Sequence, residues 1–116
     1  MAASPRPSPV PPGPLECEVS RKGAIARIRV LGDLDMAGTP VLEAEIAALR
    51  ADGARSLVLD LTVLKFIDSS GLRCILNCVA ASRRDGASLR VIPGPPAVQR
   101  VFELTNTHAY LRSAER

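Results

Sequence analysis

The chain has 116 residues, of which 47% are hydrophobic, 3% aromatic and 23% charged, with a formal net charge of +3. That length allows one domain with an aliphatic core and leaves no room for separate catalytic and regulatory domains. The small basic excess has no stripe of interleaved aromatics, which argues against nucleic-acid binding, and the want of a long apolar run or an apolar leader argues against a membrane span or secretion.

The first 14 residues, MAASPRPSPVPPGP, are mostly proline, serine and alanine with one charge, so a disordered tail is expected ahead of a domain over residues 15–116. Apolar and polar residues alternate over 15–20 and again over 24–31, separated by Arg21-Lys22-Gly23, which predicts a hairpin. Gly32-Asp33-Leu34-Asp35 breaks the alternation. Thr39 then offers an N-cap and Pro40 a first helical residue, and a helix over 40–51 buries Leu42, Ile46 and Leu49. SLVLDL at 56–61 predicts a strand buried on both faces, as a parallel sheet between helices requires.

After 62–67, for which the pattern specifies no element, Asp68-Ser69-Ser70-Gly71 opens a helix over 70–84 with the apolar stripe Leu72, Ile75, Leu76 and Val79. A short strand over 89–92, a rigid Pro-Gly-Pro-Pro connection, a helix over 97–104 and a short strand over 109–111 complete the chain. Strands alternating with helices after an opening hairpin predict an α/β fold, with helices packed on a mostly parallel sheet that has one antiparallel edge strand.

Enzyme chemistry has little to work with here. His108 is the single histidine and has no partner at a ligand spacing, and neither G-x-x-x-x-G-K-[ST] nor G-x-G-x-x-G occurs, so no metal or other cofactor is expected. Cys17, Cys74 and Cys78 form no C-x-x-C pair, and an odd set of reduced thiols fits a cytoplasmic protein. Cys74 falls nearly opposite the apolar stripe in the second helical turn, so it is expected to be exposed and a candidate for oxidation. LKFIDSSGL at 64–72 stands apart, because it sets two hydroxyls at the C-terminal end of a strand and the start of a helix, where open α/β sheets present functional groups. A helix cap at Ser69 or Asp68 accounts for one residue of that run and leaves the others unexplained.

Three stretches carry a resemblance. LVLDLTVLKFIDSSGL at 57–72, RVLGDLD at 29–35 and PPAVQRVFELT at 95–105 resemble, in order and spacing, the signature segments of the STAS-domain anti-sigma factor antagonists. The resemblance implies the STAS fold and a regulator instead of a catalyst. In that family the unphosphorylated antagonist captures an anti-sigma factor that is also a serine kinase, which frees a sigma factor; phosphorylation ends the capture, and a serine phosphatase resets it.

Carried onto this chain, the resemblance implies Ser69 as the phosphoacceptor, with Asp68, Ser70 and Gly71 beside it and Asp33 and Asp35 in an adjacent recognition loop. Arg73 stands where family members commonly have a second glycine; this cation is placed to meet a phosphate on Ser69 or an acidic group of the partner, or to stay solvated. The final helix of many members is not expected. No nucleic acid or membrane is implied as a partner, and the free protein is expected to be a monomer or weak dimer. Two other readings stay open: a STAS scaffold module on which no kinase acts, and a redox- or nucleotide-responsive STAS regulator.

Overall fold

A two-residue turn starts the fold. Gly23 takes φ +62°, a conformation that only glycine adopts freely, so Lys22 and Ile25 face each other across β1 (Leu15–Lys22) and β2 (Ile25–Leu34). Arg21 and Lys22, expected in the turn, therefore belong to the strand. The computed structural model describes residues 15–104; the tail over 1–14, His108 and the strand expected over 109–111 lie outside the described residues. The further elements are α1 (Thr39–Ala51), β3 (Ser56–Asp60), β4 (Leu64–Ile67), α2 (Ser69–Arg84), β5 (Ser88–Ile92) and α3 (Pro96–Leu104).

The strands form one sheet in the order β1-β2-β3-β5, with β1 antiparallel at the edge, the others parallel, and β4 paired to β2. This is the mixed α/β arrangement that the pattern predicts. Side chains alternate across a strand, and the register stacks Ala26, Ile28 and Val30 beside Leu57 and Leu59 and then Leu89 and Val91, all buried. Leu42, Ile46 and Leu49 of α1 and Leu72, Ile75 and Val79 of α2 close this core. Arg50 ties the end of α1 to its neighbours, donating to the carbonyls of Ala54 and Ser88 at 3.2 and 3.1 Å and to the Ser82 hydroxyl.

The other sheet face departs from expectation. Val58 is only half-buried, in register between Arg27 and Arg90. Asp60, by contrast, has no exposed side-chain surface and sits under two half-exposed arginines, with Arg27 at 2.6 Å and Arg29 at 3.7 Å. Thr62 adds its N–H at 2.9 Å and its hydroxyl at 2.7 Å. Desolvation pushes the Asp60 carboxyl up, but the Arg27 and Thr62 hydrogen bonds outweigh it and hold the group at about 2.

Two element ends also differ. Asp35 accepts the Gly38 N–H with its side chain at 2.9 Å and with its carbonyl at 3.0 Å, which starts α1 one residue early with Gly38 as N-cap. Thr39, expected as the cap, instead donates its hydroxyl to the Met36 carbonyl at 3.3 Å. β2 does not stop at Leu31. It runs on to Leu34 through a bulge at Gly32, where φ is +94° and the ladder shifts register, because β4 supplies a new partner there.

Candidate functional site

β1 holds one edge of β2 as far as Gly32, so β4 takes the other edge, end to end with β3. β2 and β4 finish level, with Leu34 opposite Ile67. Both then leave the sheet at the same end: Asp35 and Met36 from one strand, Asp68 and Ser69 from the other. The Asp68 N–H donates to the Leu34 carbonyl at 3.3 Å and binds the two exits together.

Asp68 is the N-cap of α2. Its carboxylate accepts the Gly71 N–H at 3.0 Å, and its carbonyl accepts the Leu72 N–H at 3.0 Å. Gly71 answers a second demand, since a Cβ there would collide with the Leu34 carbonyl oxygen and stand 2.9 Å from both Ile67 Cγ1 and Leu34 Cγ. The aspartate and the glycine of D-S-S-G thus have structural duties. Ser69 has none of that kind: it is the first residue of α2 and is exposed, while Ser70 is half-buried.

Arg73, one helical turn on, is exposed on the same side as Ser69. Asp33 is half-buried and paired in register with Phe66 of β4. Asp35 spends its carboxylate on the turn before α1, which makes it a shaping residue in this structure. The start of α2 therefore brings together Asp68, Ser69, Ser70, Gly71 and Arg73, while Asp33 lies on the adjoining end of β2 in register with Phe66 and Asp35 follows it. Sequence reasoning missed two exposed apolar neighbours, Phe66 and Met36, which are 49% and 75% exposed. The only signal for Phe66 was its place between the two buried residues that bracket β4.

Cys74 contradicts its expectation: it is buried, not exposed. The helix packs against α1 as well as the sheet, so its buried arc is wider than the Leu72, Ile75 and Val79 stripe. The Cys74 thiol is hydrogen-bonded to Cys78, and this bond together with burial pushes it up. Cys78 is the partner pushed down, because Cys74 donates to its sulfur and Arg50 adds positive charge. Burial raises Cys17 to about 11. Among the described residues no group of three or more metal-ligating side chains comes together, and no helix is long and apolar enough to cross a membrane.

A family model described as "Mlab, STAS domain" matches residues 17–112. The chain belongs to the STAS domain family. This STAS domain is 26% identical over 91 residues to the anti-sigma-B factor antagonist of Staphylococcus aureus, covering 78% of the chain and 84% of that protein. The crystal structure of an anti-sigma factor antagonist from Mycobacterium paratuberculosis superposes with a TM-score of 0.69 at 28% identity, over 84% of this chain and 82% of that one. SpoIIAA, an anti-sigma factor antagonist in its unphosphorylated form, superposes with a TM-score of 0.70 at 21% identity, over 82% and 84% of the two chains, and so attests the fold. These relatives are named as antagonists, which are regulatory binding proteins and not enzymes.

Proposed function

We propose that this STAS domain is an anti-sigma factor antagonist whose unphosphorylated form binds an anti-sigma factor through the Ser69 surface and so releases a sigma factor. Phosphorylation of Ser69 by the serine kinase activity of that partner ends the binding, and a serine phosphatase restores it, all in the bacterial cytoplasm. The observation that carries this reading is the exposed Ser69 hydroxyl at the first turn of α2, on a backbone clamped by Asp68 and Gly71.

The chain is the substrate of the transfer: the Ser69 oxygen takes the γ-phosphoryl group of ATP, loses its proton and leaves ADP. A phosphate adds about −1.5 to −2 charge at a helix N-terminus, whose positive end offsets it, so the fold persists while the surface changes sign. At ~4 Å one added unit charge shifts binding by up to about 4 kcal/mol, roughly a thousandfold, before salt screens it.

Incubation of the full chain with its anti-sigma kinase and ATP, followed by peptide mass mapping, tests the reading. One phosphate on Ser69, with loss of the complex, is expected. A chain that binds the partner yet stays unmodified, or is modified elsewhere, is a STAS scaffold of another kind.

A further inference from the structure

We propose that two copies of this chain pair through the free edges of their β1 strands, antiparallel, with the two-fold axis at Val19. The hairpin sets the geometry. In a two-residue turn the closing pair, Lys22 and Ile25, exchanges backbone hydrogen bonds, and bonded and non-bonded pairs then alternate along the strand. The even-numbered residues of β1 therefore spend their backbone groups on β2, and Leu15, Cys17, Val19 and Arg21 turn theirs to the outside. Among the described residues those outward groups have no backbone partner. Such an edge, eight residues long with no proline or bulge, is a template for another strand.

Charge selects the partner and the register. A two-fold axis normal to the sheet continues both faces from copy to copy. Centred on Val19, it sets Glu16 opposite Lys22 of the second copy, twice by symmetry, in a non-bonded pair where side chains lie closest. Glu16 and Lys22 are both exposed and make no ion pair among the described residues. Val19, 41% exposed on the core side, then meets its own copy and is covered. Arg21 is already held by Asp52 at 2.7 Å and leaves the ion pairing to Lys22.

Other registers do worse. An axis at Cys17 brings Glu16 against Glu18, and one at Arg21 sets two arginines together. An axis at Ser20 offers Glu18 to Lys22, but Glu18 already lies 4.0 Å from Arg29, and Val19 loses its apolar partner. In the Val19 register the two Ser69 surfaces fall at opposite ends of the shared sheet and stay free, so this pairing is independent of the function proposed above.

Sedimentation equilibrium of the full 116-residue chain from micromolar to millimolar concentration tests the pairing. The wild type is expected to show a weak monomer–dimer equilibrium. Glu16→Lys and Lys22→Glu each replace two attractive pairs with two repulsive ones and weaken it roughly tenfold or more, whereas Glu18→Lys leaves it within about threefold. Mixing the Glu16→Lys and Lys22→Glu chains restores a heterodimer, which a misfolded variant cannot do. A wild type that stays monomeric, single variants that dimerise as before, or a mixture that stays monomeric overturns the proposal.

Discussion

Gly71 rests its Cα against the carbonyl oxygen of Leu34, with no space between them for a methyl group. The first turn of α2 is seated on the end of β2 by this contact. Gly71→Ala must shift the helix start or the strand end. It is expected to lower stability by about 2 kcal/mol, the usual cost of overpacking, despite the better helix propensity of alanine. Chemical denaturation reads the loss, and amide NMR shifts at Asp68, Ser69 and Leu34 locate it.

Ser69 is predicted to separate binding from folding. Ser69→Asp places a carboxylate at a helix N-terminus, which keeps stability within about 1 kcal/mol of wild type or raises it. It weakens capture of the anti-sigma factor at least about tenfold. Ser69→Ala keeps that affinity and accepts no phosphate. Calorimetric titration of both variants, with thermal melts as the control, decides the matter.

Phe66 is predicted to anchor the partner. Its side chain is about half in water, so Phe66→Ala lowers stability by only about 1 kcal/mol and leaves the fold intact. Loss of a central aromatic from an interface costs more than ~1 kcal/mol of binding, so affinity falls about tenfold or further. Equal affinity of Phe66→Ala and wild type would place the interface elsewhere.

Asp60 makes stability depend on acid. Its carboxyl is held at about 2, below the ordinary 3.8, so the folded state binds the proton less readily than the unfolded one. The stabilisation is therefore complete above the ordinary value and is lost as the pH falls from about 4 through about 2. It amounts to roughly 2 kcal/mol. Asp60→Asn is expected to lose about that much at neutral pH and to flatten this acid limb of the stability curve, measured by urea unfolding across the same range.

Thiol chemistry should single out Cys78. The thiolate is the reactive form, and Cys78 is the thiol whose pKa is pushed down, while Cys17 and Cys74 are pushed up. Iodoacetamide at mildly alkaline pH is expected to modify Cys78 before the other two, as read by peptide mass spectrometry. Faster labelling of Cys74 would restore the exposed position that helical spacing alone suggested.

The fold was legible where one period governs one face. Spacing alone identifies Leu42, Ile46 and Leu49, and Leu72, Ile75 and Val79 likewise, because each stripe meets a single sheet; Leu76, the fourth member of the second stripe, is only half-buried against the core. Cys74 was misplaced because α2 also meets α1, and a second contact surface leaves no period of its own. β4 was illegible: four residues with Lys65 and Phe66 both exposed show neither alternation nor a continuous apolar run. Gly32 and Asp33 looked like a strand end because the strand that prolongs β2 past them lies thirty-odd residues downstream. Spacing does not single out Asp60, since the arginines that make its burial tolerable come from another strand. Of the site, D-S-S-G was visible as an excess over what a cap needs, while the exposure of Phe66 required the register of β4 against β2.

The end-to-end placement of β3 and β4 gives the molecule two storeys. The lower one is an aliphatic slab of four strands under two helices; the upper one is a short step that hangs, within the sheet, from β2 alone. Ser69 stands at the joint between that step and a helix seated on the slab. A docking protein that reaches Ser69 therefore lands on a seam between two separately supported parts of one sheet, the step carried by β2 and α3 and the slab carried by its own four strands.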